Sequence, residues 1–592
     1  MNDKSDDKNF WLIIILIFTA FISVPLFSSS HIIAGHDWIF HIMRIEGMKD
    51  SLAGGQFPVK ITGYSFNSYG EASGIFYPNL FLYIPAIFRL CNISVAVAYN
   101  LFCILINLAT VLCTYWAFSR LFNSNCLGAI TSMIYSGFFY RLIDIYSRAA
   151  IGEALAMAFM PLAVISLWLM LHRQTSYWIP FTIACTCVLQ SHIISSLMLA
   201  AICICIILYS YRQLKQRENL TALTKSAVFI LLLNIWFYVP FYNFYHQFEF
   251  NMQNSILEDH ILSNRVSTWA TFNYVQGFFG YAIVLVIALF IIKHFFKKHS
   301  GINMTPAFYF MLLISIVTVI LTFARTPWVI LKTIPYVDRC MDVIQYPFRV
   351  MMIAAFTFSY CATISLKQLA DGLKKCRVLI ISVCFIIAGS NMLFLAQPLF
   401  KDKPEIEFKT ETDIRKFIIK KMIMGINSRY YFSMFTVKMN KDEIDKIAHI
   451  GYADYIYKGV LWQDLVVNSE DDWFKDIVKP TIIPFDGIEP AEVVTNFTKK
   501  GTTLTFNVNA NEPLTMRLPL FYYPGYTAYT ADRTELNLYT NDDKHRISID
   551  VPVGEHFITV KYVGQTLWTI AEYISLISLF IFAIKIWREN KI

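Results

Sequence analysis

Two short stretches of the sequence carry residue types that could do chemistry. In the first, Asp37, His41 and Arg44 recur at helical spacing, so an α-helix would place them on one face and put Trp38 and Ile42 on another. A carboxylate in such a position could remove a proton from an acceptor hydroxyl, and a histidine four residues on could hydrogen-bond to it. The pattern predicts a helix that lies on the membrane surface with its polar edge turned towards water. The alternative is that Asp37 only caps the helix and that His41 and Arg44 contact lipid headgroups.

The second stretch contains Arg141, Asp144, Arg148 and Glu153 within thirteen residues. Asp144 stands three and four residues from the two arginines, which makes them neighbours on a helix. Glu153 begins an apolar run, where an unpaired carboxylate is expensive. Arginines here could hold a phosphate through a bidentate fork. The alternative is an ion-pair lattice that fixes two helix ends.

Three further residues are candidates for substrate binding. Arg349 follows Gln-Tyr-Pro-Phe at the head of an apolar run, and Arg339 precedes the same run. Arg349 could reach a lipid phosphate or serve the structure alone. His192 stands between two short apolar runs, where it could also cap a helix end.

The composition indicates which elements position these residues. The chain has 592 residues, of which 56% are hydrophobic and only 16% are charged, whereas globular proteins average about 25% charged residues. These values exclude a soluble enzyme, a disordered chain and a nucleic-acid binder. An α-helical polytopic membrane protein is predicted, with about twelve transmembrane helices. The predicted spans are 10–28, 94–118, 126–140, 151–171, 177–190, 193–209, 224–243, 271–292, 304–324, 348–366, 378–398 and 566–585.

Basic residues orient these spans. Arg120, Arg173 and the clusters within 211–217, 293–298 and 374–377 all fall on one side, which the positive-inside rule makes cytoplasmic. We therefore expect a multi-pass membrane protein with both termini in the cytoplasm. The apolar stretch 76–90 contains two prolines and is expected to be juxtamembrane or re-entrant, since a further span would reverse the later clusters.

The predicted organisation has three parts. A transmembrane domain covers 1–398 and carries a long first outer loop at 29–93. An extracytoplasmic domain follows at 399–565, and its second half alternates like the strands of a β-sandwich. Residues 566–592 form the last span and a cytoplasmic tail. Most of the twelve cysteines lie in apolar runs and are interpreted as small buried residues. Because the sequence contains no Walker or dinucleotide-binding motif, nucleotide-driven chemistry has no support.

The chain resembles the YfhO-like group of bacterial membrane proteins and a related family called 6-pyruvoyl-tetrahydropterin synthase-related membrane proteins. The resemblance covers most of the chain, although each motif is short. It is carried by Gly35-His36-Asp37-x-x-Phe40-His41-x-x-Arg44-Ile45, Gly55-Gln56-Phe57-Pro58, Tyr77-Pro78, Tyr146-Ser147-Arg148-Ala149-Ala150 with Glu153, His192, Gln345-Tyr346-Pro347-Phe348-Arg349, and Phe521-Tyr522-Tyr523-Pro524-Gly525-Tyr526.

That group is similar to the GT-C glycosyltransferase superfamily, and the resemblance implies the same fold and activity. The implied reaction moves a sugar from a polyprenyl-phosphate donor to an envelope glycan or lipid on the outer face. Asp37 is the implied catalytic acidic residue, with His41 beside it. Arg148 and Arg349 are implied near the donor phosphate.

Asp144 or Glu153 is implied as the second acidic element. Two departures from the family pattern leave a divalent cation, Mg²⁺ or Mn²⁺, open. His36 stands where some members carry a paired acidic residue, and Ala149 follows Arg148 where relatives have glycine. Two other functions stay open at this stage: a flippase or transporter of lipid-linked oligosaccharides, and a non-catalytic protein of envelope polysaccharide assembly.

Overall fold

A computed structural model describes most of the helical part and half of the C-terminal domain. The described residues are 7–65, 69–250, 306–323, 325–335, 344, 347–370, 377–401, 405–406, 436–438, 457, 483–484, 494–541 and 545–589.

The described helices dominate the chain up to residue 401. They are α1 (Lys8–Ile22), α2 (Trp38–Ala53), α3 (Ser73–Phe76), α4 (Tyr83–Leu90), α5 (Val95–Phe122), α6 (Asn125–Ser136), α7 (Phe139–Tyr146), α8 (Ile151–His172), α9 (Trp178–Leu189), α10 (Ile193–Tyr209), α11 (Tyr211–Leu214), α12 (Arg217–Gln247), α13 (Pro306–Phe323), α14 (Arg325–Lys332), α15 (Met351–Ala370), α16 (Arg377–Lys401) and α17 (Thr566–Glu589). Short 3-10 helices occur at Val24–Leu26, Leu80–Leu82, Thr175–Tyr177 and Pro347–Val350.

The described part of the chain contains six helices that are long and apolar enough to cross a membrane, or seven if the bent pair α6–α7 is one span. Five shorter apolar helices of 10–17 residues accompany them. The protein is therefore mostly helical with apolar spans, and the count of twelve stays a prediction. The predicted span 271–292 lies outside the described residues.

The strands lie in the C-terminal domain, except for one in the first outer loop. They are β1 (His31–Ile33), β2 (Glu405–Ile406), β3 (Thr436–Lys438), β4 (Ile483–Pro484), β5 (Val494–Lys500), β6 (Thr503–Ala510), β7 (Leu514–Phe521), β8 (Tyr526–Thr530), β9 (Glu535–Leu536), β10 (Leu538–Tyr539), β11 (Arg546–Val551) and β12 (Gly554–Tyr562).

Two antiparallel sheets form the body of this domain. Their strand orders are β5-β6-β12-β8-β9 and β10-β11-β7-β4. Leu504, Phe506 and Val508 alternate along β6 and point into a core that also holds Ile547 and Ile549 of the other sheet. Because the two sheets share one hydrophobic core, the predicted β-rich, sandwich-like region agrees with the structure.

The first outer loop is docked onto this β-domain. Strand β1 pairs with β3, and the core of the two sheets also includes Ile61 and Phe76 of the loop. At the Gly63–Gly501 contact the backbones meet so closely that a Cβ on Gly63 would lie 2.2 Å from the Gly501 carbonyl oxygen. The loop and the β-domain therefore lie at the same end of the helix bundle, and the assignment of that end to the outside stays a prediction.

A buried lysine joins the loop to two helices. The Lys60 Nζ donates to the Trp236 carbonyl of α12 at 2.7 Å and lies 3.6 Å from a Glu572 carboxylate oxygen of α17. It also lies 4.3 Å from the centroid of the Trp236 ring. Glu572, which has no obvious partner in the sequence, thus pairs with a residue of the first outer loop.

The structure corrects the predicted surface helix. Residues 38–53 do form a helix, but both faces of its first three turns are buried, and His41 and Arg44 are only 1% and 3% exposed. The polar edge faces the protein interior because Tyr77 and Pro78 of the following loop cover it, with His192 nearby. The stretch 76–90 is broken between α3, a 3-10 turn and α4, which agrees with a juxtamembrane segment.

Candidate functional site

Asp37 occupies the N-cap position of α2 without capping it. Its φ and ψ of −103° and 10° lie outside the extended region that is usual for an N-cap, and its side chain makes no capping hydrogen bond. The interpretation of Asp37 as a helix cap alone is therefore wrong. The carboxylate is half-buried, and Arg148 lies within its electrostatic range.

The two chemistry-bearing stretches touch through their backbones. The Asp37 amide donates to the Arg148 carbonyl at 2.8 Å. A Cβ on Gly35 would lie 2.4 Å from the Arg148 carbonyl carbon, so this approach needs glycine. The sequence separates these stretches by about 110 residues, and the fold brings them together.

Arg148 is the centre of a buried ion-pair network. Its Nη1 donates to Asp144 at 2.6 Å and to Glu153 at 3.0 Å, and it reaches the Tyr140 hydroxyl at 3.3 Å. The Tyr140 hydroxyl in turn donates to Glu153. The guanidinium also lies 4.9 Å from the centroid of the Phe348 ring. Arg148 thus joins α7, α8 and the turn before α15, as the ion-pair interpretation expects.

Arg349 brings a second guanidinium to the same carboxylate. Its Nε lies 3.6 Å from Glu153 Oε2, and the residue is 7% exposed. Glu153 is therefore shared by two arginines from distant segments. This arrangement holds two cations beside one another, which a buried site tolerates only because carboxylates separate them.

Tyr77 packs at the middle of the site. The centroid of its ring lies 4.4 Å from the Arg44 Cζ. It lies 6.0 Å and 5.7 Å from the ring centroids of His41 and His192. Arg44 also donates to the carbonyls of Tyr77 and Pro78 at 3.1 Å and 2.9 Å. The Tyr77 hydroxyl is buried within electrostatic range of Arg44, Asp37, Arg349 and Glu153, and burial raises its pKa.

Burial disfavours the charged form of both histidines of the site. Burial, helped by Arg44 and His192, holds the pKa of His41 well below its ordinary value. Burial and the nearby Arg349 lower the pKa of His192 to about 3. His192 caps α10 through Ser195, whereas the buried His41 Nδ1 has no hydrogen-bond partner among the described residues. Positive charge at the site therefore comes from arginines.

Of the remaining predicted site residues, Arg141 lies apart from this group. Arg141 turns away and donates to Ser136, Asn107 and Thr110 in the helix interior, at 3.3, 2.7 and 2.9 Å. Asp144 joins the network only through Arg148, and its Oδ2 has no hydrogen-bond partner in the described part of the chain. Arg339 lies outside the described residues.

The sequence reasoning missed the aromatic part of the site. Tyr77 entered only through a family resemblance, and Tyr140 was not singled out, because a tyrosine in an apolar run gives no periodic signal. Among the described residues, no three His, Cys, Asp or Glu side chains form a group that could hold a metal. A divalent cation remains an open expectation.

No protein-family model matches the sequence, and no curated protein matches it. Two solved structures similar to this chain are membrane-associated proteins. The first is ArnT from Cupriavidus metallidurans bound to undecaprenyl phosphate, with 9% identity, a TM-score of 0.36 and coverage of 74% of each chain. The second is the oligosaccharyltransferase AglB from Archaeoglobus fulgidus in complex with an inhibitory peptide and a dolichol-phosphate. It shows 12% identity and a TM-score of 0.34, with coverage of 76% of this chain and 60% of that one. At TM-scores below 0.5, this likeness does not establish a shared fold.

Proposed function

We propose that the chain is an integral membrane glycosyltransferase that uses a polyprenyl-phosphate-linked sugar to modify an envelope glycan or lipid on the extracytoplasmic face. The observation that carries the proposal is the convergence of Asp37, Tyr77, Arg148, Glu153 and Arg349 from separate segments at one partly buried place. Buried charges of this kind are expensive in a membrane protein and mark functional sites.

The reaction needs few protein groups. The bond between the sugar anomeric carbon and the phosphate oxygen breaks, and its electron pair leaves with the polyprenyl phosphate. A new bond forms from the acceptor oxygen to the anomeric carbon, and the acceptor proton goes to a base. The protein must therefore supply a carboxylate for the acceptor and positive charge for the departing phosphate.

The geometry favours Asp37 as that base. It is half-buried and does not cap its helix. Burial lowers the pKa of the neighbouring His41 and so disfavours its protonated form, which makes His41 the weaker base. We propose instead that the buried His41 Nδ1, which has no hydrogen-bond partner among the described residues, bonds to a sugar or acceptor hydroxyl.

Arg349 is proposed to face the phosphate. Arg148 lies against two carboxylates, Asp144 and Glu153, which offset its charge. It is therefore assigned as a positioning residue that fixes Glu153, which in turn lies 3.6 Å from Arg349. This assignment differs from the sequence expectation, which placed both arginines at the phosphate.

The test is turnover of donor by the full-length protein in lipid nanodiscs. A panel of polyprenyl-phosphate sugars is offered with envelope lipids, and released polyprenyl phosphate is measured. Asp37→Asn should lower the rate by about 10²- to 10⁴-fold, because a positioned general base contributes that much. Asp532→Asn, in a fully exposed turn of the β-domain, is the control and should retain the rate. Undiminished turnover in Asp37→Asn would refute the assignment.

A non-catalytic role in envelope polysaccharide assembly is the second candidate. It is favoured by the pairing of Arg148 with two carboxylates, Asp144 and Glu153, which suits a purely structural lattice, and by the extensive docking of the β-domain. If a strain carrying Asp37→Asn keeps its normal envelope glycan, this candidate replaces the first.

A further inference from the structure

A groove opens at the end of the helix bundle opposite the β-domain. It lies between the first turns of α12 and the last turns of α17 and has a volume of about 490 Å³. At the other end of the same helices, Phe244 of α12 and Trp568 of α17 sit in the β-domain core. Arg217 is 27 residues from Phe244, or about 40 Å along the helix. The groove therefore lies at the other membrane face from the candidate site.

The lining of the groove is cationic on one side and apolar on the other. Arg217, Lys225 and Lys585 supply three positive charges, and Thr221 and Thr224 supply hydroxyls. None of the described residues that line it carries a carboxylate. Of the acidic side chains near these helix ends, Glu589 accepts a hydrogen bond from the Trp178 indole at 2.9 Å, and Glu218 follows Arg217 in the chain.

Aromatic rings pack beside the two lysines of the groove. The ring centroids of Trp178, Phe229 and Phe582 lie 5.0 to 5.8 Å from one another. Lys225 Nζ lies 5.8 Å from the Trp178 ring, and Lys585 Nζ lies 5.4 Å from the Phe229 ring. Cation–π contacts of this kind restrain the ammonium groups. They therefore lose less side-chain entropy on binding an anion than lysines that move freely in water.

Apolar side chains continue from the groove along the helix surface. Leu220 and Val228 are 51% and 48% exposed on α12. A free phosphate would leave these side chains unused, whereas acyl chains would cover them. The size is within the range of roughly 300–1,000 Å³ that small ligands occupy. Basic pockets between transmembrane helices commonly bind acidic lipid headgroups.

We propose that the groove between α12 and α17 binds the headgroup of an anionic phospholipid, with its acyl chains lying against Leu220 and Val228. Arg217, Lys225 and Lys585 contact the phosphodiester, and the two threonine hydroxyls contact the polar end of the headgroup. The lipid would join the N-terminal end of α12 to the C-terminal end of α17, at the membrane face opposite the candidate site.

Native mass spectrometry of the full-length protein in detergent tests this proposal. The protein is titrated with phosphatidylglycerol and, separately, with phosphatidylcholine. Phosphatidylglycerol should bind more tightly, and Lys225→Gln/Lys585→Gln should weaken its binding about 30-fold, as expected for two charges near a lipid surface. The matched control is Arg212→Gln/Lys215→Gln, which removes two exposed charges just before α12 that do not line the groove. It should bind like the wild type.

Three results would overturn the proposal. Equal binding of both lipids would show that charge is not recognised. Equal weakening in the two double variants would mean that the whole face attracts acidic lipid without a site. Displacement of phosphatidylglycerol by millimolar inorganic phosphate would identify a free-anion site instead. Unchanged elution volume and heat stability of the variants would show that they remain folded.

Discussion

The buried Lys60 makes the stability of the protein depend on pH in a defined direction. Its side chain is only 4% exposed, and burial lowers its pKa to about 8 from an ordinary 10.5, although Glu572 opposes this shift. At a pH between these two pKa values, the folded state binds fewer protons than the unfolded state. The free energy of unfolding must therefore rise with pH in this window, by about 1.4 kcal/mol per pH unit.

Lys60→Met removes this titration. From pH 7.5 to 9.5 the wild type should gain about 2 kcal/mol that the variant does not gain, so the two stability curves diverge as the pH rises. Lys500→Met is the control, since Lys500 is exposed on β5 and its variant should follow the wild-type slope. The free energy of unfolding is measured by titration with SDS in mixed micelles at each pH.

A second variant distinguishes the contribution of the Lys60–Glu572 ion pair from the cost of burying Lys60. Removing one partner of a buried ion pair leaves an uncompensated charge, whereas removing both is often close to neutral. Lys60→Met/Glu572→Gln should therefore be at least as stable as Lys60→Met at pH 7.5. Parallel curves for wild type and Lys60→Met, or a wild-type stability that falls with pH, would refute the burial argument.

Two further substitutions probe the site itself. Glu153→Gln should lower the free energy of unfolding by about 3–5 kcal/mol, because it removes the charge that Arg148 and Arg349 share, while Glu555→Gln on the β-domain surface should not. An unchanged unfolding curve would mean that these pairs are not formed. Gly35→Ala should reduce both heat stability and donor turnover, since its Cβ would meet the Arg148 backbone, whereas the Cβ of Gly389→Ala meets only a phenylalanine ring edge at 3.2 Å. Normal turnover in Gly35→Ala would contradict the close contact.

The sequence predicted local structure well where one periodicity dominated. The helix that contains His41, the i,i+4 pair Asp144–Arg148, and the strands β6, β11 and β12 all follow from spacing in the chain. It did not predict that the polar edge of α2 is buried, because the residues that meet it, Tyr77, Pro78 and His192, lie about 30 to 150 residues further on. An amphipathic helix looks the same whether water or another segment meets its polar face.

Side-chain partners were harder to predict than elements. Arg141 and Asp144 have helical spacing, yet Arg141 bonds to Asn107 and Thr110 because those amide and hydroxyl groups also need partners in the apolar interior. The Lys60–Glu572 pair joins residues near the two ends of the chain, so no local pattern indicates it. The convergence of Arg349 and Arg148 on Glu153 is likewise a property of tertiary packing.

The docking of the first loop against the last domain imposes an order on biosynthesis. Lys499 donates to the Gly63 carbonyl at 3.0 Å, a contact between residues 436 positions apart. At about 5–20 residues per second, the ribosome needs about 20 to 90 s to deliver the second partner after the first. During that interval Ile61 and Phe76 of the first outer loop lack the β-domain core that they pack into. Nascent chains that terminate early would thus present an unfinished, apolar surface to the machinery that surveys new membrane proteins.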